Sequence, residues 1–461
     1  MSDAPAMPTP PPLQRARNAT NITLKMLVVA GLTLGLLIPL AMIGGVVRER
    51  LQLRNKAVSE ITATWGQAQN LVGPVLSVPY RYRFKTVREE RVDGAIERRE
   101  VEETAVAVAY FLPRSLSVHG EMTPEVRHRG IYETAVYRVR LHVEGSFHPA
   151  AWDDWKISPE DILWDEAEVS LGVNDLRGTQ ERVSMRWGDR DVALLPGSRV
   201  PDFPAGLHGR LRDTGWRGGE IAFDATLSLN GSGPLRVAPV GVENAVNLRS
   251  SWPDPSFQGA FLPAQRRVDP SGFDATWNVT FYGRTYPQQW TSRDSTGYSA
   301  GAVNQSLFGV ELLTMVDAYR LTERAVKYGV LFIVLVFTGF FLCEVLVRLR
   351  VHPFQYTLVG VALALFYLLL LSLSEFVGFG PAYGIAAAAC TLLVSSYTAS
   401  VLRGARRAGG VAAGLAVIYG LLYVILSLQD YALLVGAAGL FAALALAMYA
   451  TRKVDWYAPR E

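Results

Sequence analysis

The sequence predicts an α-helical membrane protein of six transmembrane helices carrying a large, mainly antiparallel β domain outside the cytoplasm. Three observations carry this reading. Six apolar runs are each close to the roughly 20 helical residues that cross a hydrocarbon core. A segment of ordinary polar composition, residues 48–326, separates the first run from the other five. Inside that segment apolar and polar residues alternate with a period of two, the signature of half-buried strands.

Composition fits two objects joined in one chain. The 461 residues hold 45 Lys and Arg against 42 Asp and Glu, a formal net charge of +3. That balance gives no support to nucleic-acid binding, which needs a clustered basic surface. Charged residues make up 19% of the chain, below the roughly 25% of soluble proteins. The deficit is local. Residues 328–450 carry only Glu344, Arg348, Arg350, Glu375, Arg403, Arg406, Arg407 and Asp430. A simple soluble enzyme is excluded.

The elements follow in order. Residues 1–23, with Pro10, Pro11 and Pro12 in succession, read as a flexible cytoplasmic tail. Residues 24–47 form the first span, uncharged from Met26 to Val47. A cleaved signal peptide has a shorter apolar region, about 7–15 residues, ending in a small-residue cleavage site. Pro39-Leu40-Ala41-Met42-Ile43 offers none, so the run reads as an uncleaved anchor. Gly31 and Gly35 have the spacing that admits a close helix neighbour, which is also a common spacing in membrane helices. Five further spans are expected at 327–347, 355–374, 380–402, 409–428 and 431–450, within a bundle over 327–450, followed by a cytoplasmic tail over 451–461.

Loop charges orient the spans. Arg15, Arg17 and Lys25 stand before the uncharged run of the first. Arg348, Arg350 and His352 lie between the second and third, Arg403, Arg406 and Arg407 between the fourth and fifth, and Arg452 and Lys453 after the last. The loops 375–379 and 429–430 carry no Lys or Arg. The positive-inside rule then puts both termini in the cytoplasm and residues 48–326 in the periplasm of a two-membrane bacterium. The two cysteines, Cys343 and Cys390, fall in spans, so the exported domain has no disulfide.

The exported domain opens with a helix over 48–70. The period then changes to two: Leu76, Val78, Tyr80, Tyr82 and Phe84 alternate with polar residues. So do Tyr137, Val139, Leu141 and Val143, then Ile221 to Leu229, then Phe273, Ala275, Trp277, Val279 and Phe281. Asn230-Gly231-Ser232-Gly233-Pro234 reads as a turn. A sandwich or incomplete barrel is expected. Thr322 reads as the N-cap of the second span's helix.

Signals for chemistry are weak. Gly297-Tyr298-Ser299-Ala300-Gly301 fits the G-x-S-x-G pattern, but that motif needs a strand turning sharply into a helix. Here a polar loop precedes it and no helix pattern follows at once. Asp213-Thr214-Gly215 and Asp294 do not make an aspartic dyad by pattern. His119, His128, His142, His148 and His208 show no metal-ligand spacing and read as surface or strand-face residues. No catalytic residue, cofactor or metal site is predicted. The candidate functional residues are those of the membrane block: Glu344, His352, Gln355 and Glu375. An ionisable group deep in a span costs about 2.5–3.5 kcal/mol and marks an ion pathway. Near a span end, water and snorkelling lower that cost, which favours interfacial or structural roles here. Glu344 also stands four residues before Arg348, the spacing of a helical ion pair.

Several segments together resemble the CreD family of bacterial inner-membrane proteins, described as cell envelope integrity proteins. They are Leu71-Val72-Gly73-Pro74, Ser251-Trp252-Pro253-Asp254-Pro255-Ser256-Phe257-Gln258-Gly259-Ala260-Phe261-Leu262-Pro263, Tyr319 to Tyr328, His352-Pro353-Phe354-Gln355-Tyr356, Phe366 to Leu371 with Ser374-Glu375, and Asp455-Trp456-Tyr457. The resemblance covers about residues 24–457. It implies a role in envelope integrity and in tolerance to a DNase-type colicin, control by a two-component system, and in some bacteria a link to β-lactam response and biofilm. It carries over no catalytic residue. The expected function is therefore a non-catalytic role in the envelope. The expected partners are the lipid bilayer and envelope proteins or peptidoglycan, with no nucleic acid and the oligomeric state open. The rival is a transporter or channel component using the C-terminal bundle, and third an enzyme acting on envelope lipid or peptidoglycan.

Overall fold

The structure, a computed structural model, describes residues 12–92, 95–177, 179, 182–313, 318–347, 351–402, 405–428 and 431–452. Arg348, Arg350, Arg403, Asp430, Lys453 and Asp455-Trp456-Tyr457 lie outside the described residues. The chain divides into two compact units, one of residues 1–55 and 316–461, the other of residues 56–315.

The first unit is helical. Helix α1 runs over Pro12–Trp65, so it begins inside the segment expected as a flexible tail and ends five residues short of the expected 70. Its buried stripe is Leu36, Leu40, Ile43 and Val47, spaced for one helical face, while Leu34, Ile38 and Met42 are exposed. A short helix α2 (Ala300–Gln305) belongs to the second unit. The bundle continues with α3 (Ala318–Val347), α4 (Pro353–Val377), α5 (Phe379–Leu402), α6 (Ala405–Ser427) and α7 (Ala432–Thr451). Among the described residues six helices are long and apolar enough to cross a membrane, as expected. Thr322 is not an N-cap. It lies inside α3, fully buried, and its hydroxyl donates to the Ala318 carbonyl at 2.8 Å. The close approaches that small residues permit also fall elsewhere than expected. A Cβ on Gly31 or Gly35 would meet nothing within 4 Å, whereas one on Gly360 would strike Leu36 and one on Gly329 would press on Leu40. The glycines of α3 and α4 thus receive the leucine stripe of α1.

The second unit is a β sandwich. Its described strands are β1 (Gln69–Val92), β2 (Ala95–Phe111), β3 (Ser115–Arg129), β4 (Tyr132–Phe147), β5 (Glu168–Val173) and β6 (Ser184–Trp187). There follow β7 (Arg190–Ala193), β8 (Leu195–Pro196), β9 (Gly206–Arg210), β10 (Ile221–Ser232), β11 (Leu235–Val237) and β12 (Glu243–Ser250). The last are β13 (Pro255–Gly259), β14 (Gln265–Asp269), β15 (Gly272–Thr280), β16 (Gln289–Thr291) and β17 (Phe308–Leu312). One sheet has the order β13-β17-β11-β1-β5-β9-β8, with β2 on β1 and β16 on β2. The other runs β14-β15-β12-β3-β4-β10-β6-β7. Pairing is antiparallel except for β1 with β11 and β3 with β12. The inner faces share one hydrophobic core. Phe257 and Phe308 from the first sheet pack on Trp277 from the second, with ring centroids 5.8 Å apart in each case.

Two glycine-rich segments show what the alternation left out. Asn230–Ser232 is not a turn but the end of β10, paired with Arg138, Tyr137 and Val136 of β4. Gly231 is glycine because the Tyr137 ring covers it: an added Cβ would stand 2.5 Å from the ring. In Leu71-Val72-Gly73-Pro74 the pairing of β1 with β5 shifts between Val72 and Val75. Gly73 makes that bulge with φ of +122°, and a Cβ there would lie 2.9 Å from the Ser170 carbonyl, so only glycine fits.

Candidate functional site

Four ionisable or polar residues of the helical unit were the candidates, and the structure sorts them into two clasps and a cap. Glu344, on the last turns of α3, is not a solvated span-end group. It is 3% exposed. A buried carboxylate must be paired and hydrogen-bonded, and its partners are all present. Lys25 of α1 forms an ion pair with Oε1. The Tyr356 hydroxyl of α4 donates to Oε2 at 3.0 Å, and the Val351 backbone N–H donates to Oε1 at 3.3 Å. Lys25 Nζ also donates to the Val351 carbonyl at 2.9 Å. The partner foreseen for Glu344, Arg348, lies outside the described residues.

Glu375, near the C-terminus of α4, repeats the pattern. The Tyr319 hydroxyl of α3 donates to Oε1 at 3.1 Å. Arg50 of α1 stands 3.8 Å from the same oxygen, and the Glu375 side chain is 10% exposed. Each acid is therefore met by a cation from α1 and a tyrosine from another helix. Lys25 and Arg50 are 25 residues apart on one helix, about 37 Å at 1.5 Å per residue. That exceeds the roughly 30 Å hydrocarbon core, so the clasps sit toward the two ends of the apolar stretch. Between them α1 is uncharged over residues 26–47, α3 over 328–343 and α4 over 354–374. The interior is aromatic, with Phe332, Phe366, Tyr367, Tyr383 and Tyr419 packed together. The Tyr383 hydroxyl donates to the Tyr419 carbonyl at 2.7 Å.

His352 and Gln355 do something different. His352 is the N-cap of α4, with Pro353 at the first helical position. Its Nδ1 accepts from the Phe354 N–H at 3.2 Å, and Gln355 Oε1 accepts from the His352 N–H at 3.0 Å. This is a capping box with histidine in the place of serine or threonine, and it accounts for His-Pro-Phe-Gln as helix-start chemistry.

The weak motifs of the β unit resolve locally. Ser299 caps α2, its Oγ accepting from the Ala302 N–H at 3.3 Å. A helix does follow Ser299, contrary to the sequence reading, but the strand that a nucleophile elbow needs is replaced by the loop after β16. The Asp294 carboxylate binds the Thr296 backbone N–H at 3.0 Å, and these local bonds hold its pKa below the usual range. Asp213 lies in a single helical turn that ends at Gly215. The histidines divide. His208 is buried, its Nδ1 2.6 Å from the Gly197 carbonyl. His142 gathers with Glu144 and Asp224, their donor atoms within 4.8 Å of one another. Sequence spacing missed this cluster because one member comes from another strand.

Lys25, Arg50, Tyr319 and Tyr356 are the residues that sequence reasoning did not assign to a site. A signal existed for the first: Lys25 is the charge nearest the start of an uncharged run, and a buried acid elsewhere requires a cation.

These helices and sheets define a multi-pass membrane protein with a β sandwich inserted after its first span. The family model for inner membrane protein CreD matches residues 21–457. The inner membrane protein CreD of Escherichia coli (strain K12) is 34% identical over 434 residues, covering 94% of this chain and 93% of that protein. The chain belongs to the CreD family of inner membrane proteins.

Proposed function

We propose that the protein supports cell-envelope integrity and tolerance to envelope stress of the colicin and β-lactam kind, without catalysis, through its β domain. The helical unit anchors that domain in the inner membrane with both termini cytoplasmic and residues 48–326 periplasmic, where envelope proteins or peptidoglycan meet it. The observation that supports this reading is the condition of the membrane carboxylates. Glu344 and Glu375 are each engaged by a cation of α1 and a tyrosine hydroxyl, and the apolar stretch between them is packed with aromatic rings. Acids held this way brace helices. An ion pathway instead needs acids that release and rebind their cations.

One observation favours transport as a second reading. A cavity of about 20 Å³ borders Tyr356, Gln355 and Val351, beside the Glu344 cluster. That is room for about one water molecule at most, in a largely apolar lining, and not a channel.

The test is complementation of a deletion strain under colicin or β-lactam challenge by Glu375→Gln. The amide keeps the shape and the acceptor for Tyr319 and loses the charge. Tolerance close to that given by the unaltered protein, at equal abundance and membrane insertion, is the expected result. A stable, inserted and inactive variant would put transport first.

A further inference from the structure

His142 and Glu144 lie two residues apart on β4, so they leave the same face of the sheet. Across on β10, Asp224 pairs in register with Glu144 and Thr226 with His142. The residues between, Val143 and Ala225, are buried, which puts the other four on the outer face. There His142 Nε2 stands 3.2 Å from Asp224 Oδ2 and 3.4 Å from Glu144 Oε2. We propose that His142, Glu144 and Asp224 form a binding site for a divalent transition-metal ion of the zinc class, independent of the envelope role argued above.

Four observations support it. The first is spacing. Donors held about 2.1 Å from a tetrahedral zinc ion stand about 3.4 Å from one another, which is the separation His142 Nε2 already keeps from both acids. The second is charge. Glu144 and Asp224 are directly opposite in register, and like charges so placed repel unless a cation lies between them. The third is orientation. His142 Nδ1 is 3.4 Å from Thr226 Oγ1, the position from which an outer partner fixes the tautomer and turns Nε2 toward a metal. The fourth is rigidity. β4 and β10 are interior strands of their sheet, flanked by β3 and β6, and sites on such elements hold their geometry. An imidazole among the donors selects zinc, copper or nickel over calcium or magnesium. Three protein donors leave a fourth position open to water. His119 of β3 lies opposite His142 in register, so a second imidazole is within cross-strand reach.

The competing cations are a protonated His142 and Arg186 of β6, which lies opposite Asp224 in register; either would make the cluster an ordinary ion pair. The experiment separates the metal site from both. The full-length protein in detergent, stripped with a chelator, is titrated with Zn²⁺ against a chromophoric competitor. The unaltered protein is expected to bind Zn²⁺ in one tight site. His142→Ala and Asp224→Asn are each expected to weaken it at least about tenfold. His128→Ala, which removes an exposed histidine paired with Glu133, should leave it unchanged. Zn²⁺ should raise the thermal midpoint of the unaltered protein and not that of His142→Ala, with the metal-free midpoints compared to show that both are folded. Equal affinity and equal thermal response in the unaltered protein and His142→Ala would overturn the site.

Discussion

Trp277 is the largest fully buried side chain on its strand. Its ring packs on Phe257 and Phe308, and its Nε1 donates to the Phe261 carbonyl at 3.2 Å. Trp277→Ala should destabilise the domain by about 3–5 kcal/mol, as large-to-small core changes do. Thr276 faces the other way and accepts one bond from Asn247 at 3.0 Å, so Thr276→Ala should cost about 1 kcal/mol or less. Thermal unfolding of the detergent-purified chain by near-ultraviolet circular dichroism reads both, and equal losses would mean the register is wrong. Asp175 makes a pH-dependent contribution. Its carboxylate binds the Gln67 N–H at 3.1 Å and Arg177 Nη2 at 2.7 Å. Arg177 is the main cause that holds its pKa below the usual carboxylate range. A depressed folded pKa means stability that is fully present above the unfolded value, about 3.9, and lost as pH falls through the folded one. The thermal midpoint of Asp175→Asn should therefore lie below that of the unaltered protein at pH 7, with the gap closing below about pH 4. A gap that does not narrow as pH falls below about 4 would contradict this. At this scale the sequence was legible where a residue alternates and opaque where it touches across strands. Trp277 announced its face. Gly231 did not, because the reason for it is the ring of Tyr137, far away in sequence.

Among the elements, α1, α3 and α4 depend on one another through Glu344. Removing one partner of a buried pair leaves an uncompensated charge and costs about 3–5 kcal/mol, whereas replacing both with apolar residues is often close to neutral. Lys25→Met and Glu344→Met should each lower the thermal midpoint of the helical unit in detergent, and the double variant should recover most of the loss. Losses that simply add would show that the two residues do not act as a pair. The six spans themselves could be read from length and hydropathy, since a bilayer imposes both on any helix that crosses it. The clasp could not, because Lys25 and Glu344 are 319 positions apart and hydropathy does not register partners. The cap of α4 was hidden for a different reason. Histidine is an uncommon N-cap, so His352 and Gln355 stood out as polar residues beside a span rather than as the start of a helix.

In the whole molecule, a polar block is inserted into an apolar chain, and charge distribution alone revealed that division. The orientation proposed for it makes a direct prediction. In a chain with Cys343 and Cys390 replaced by alanine, a cysteine at exposed Asp189 should react with an impermeant thiol reagent in cells with a permeabilised outer membrane. One at exposed Arg406 should react only after the inner membrane is opened. The opposite labelling would reverse the topology. The central claim is that the charged residues of the bundle brace it while the β domain serves the envelope. The most direct measurement is envelope-stress tolerance in a deletion strain carrying the Lys25→Met, Glu344→Met double variant, with abundance and insertion measured in the same cells. A bracing pair replaced by apolar residues predicts tolerance close to that of the unaltered protein. A double variant that is abundant, correctly inserted and without function would contradict the account and make the Glu344 cluster part of a pathway.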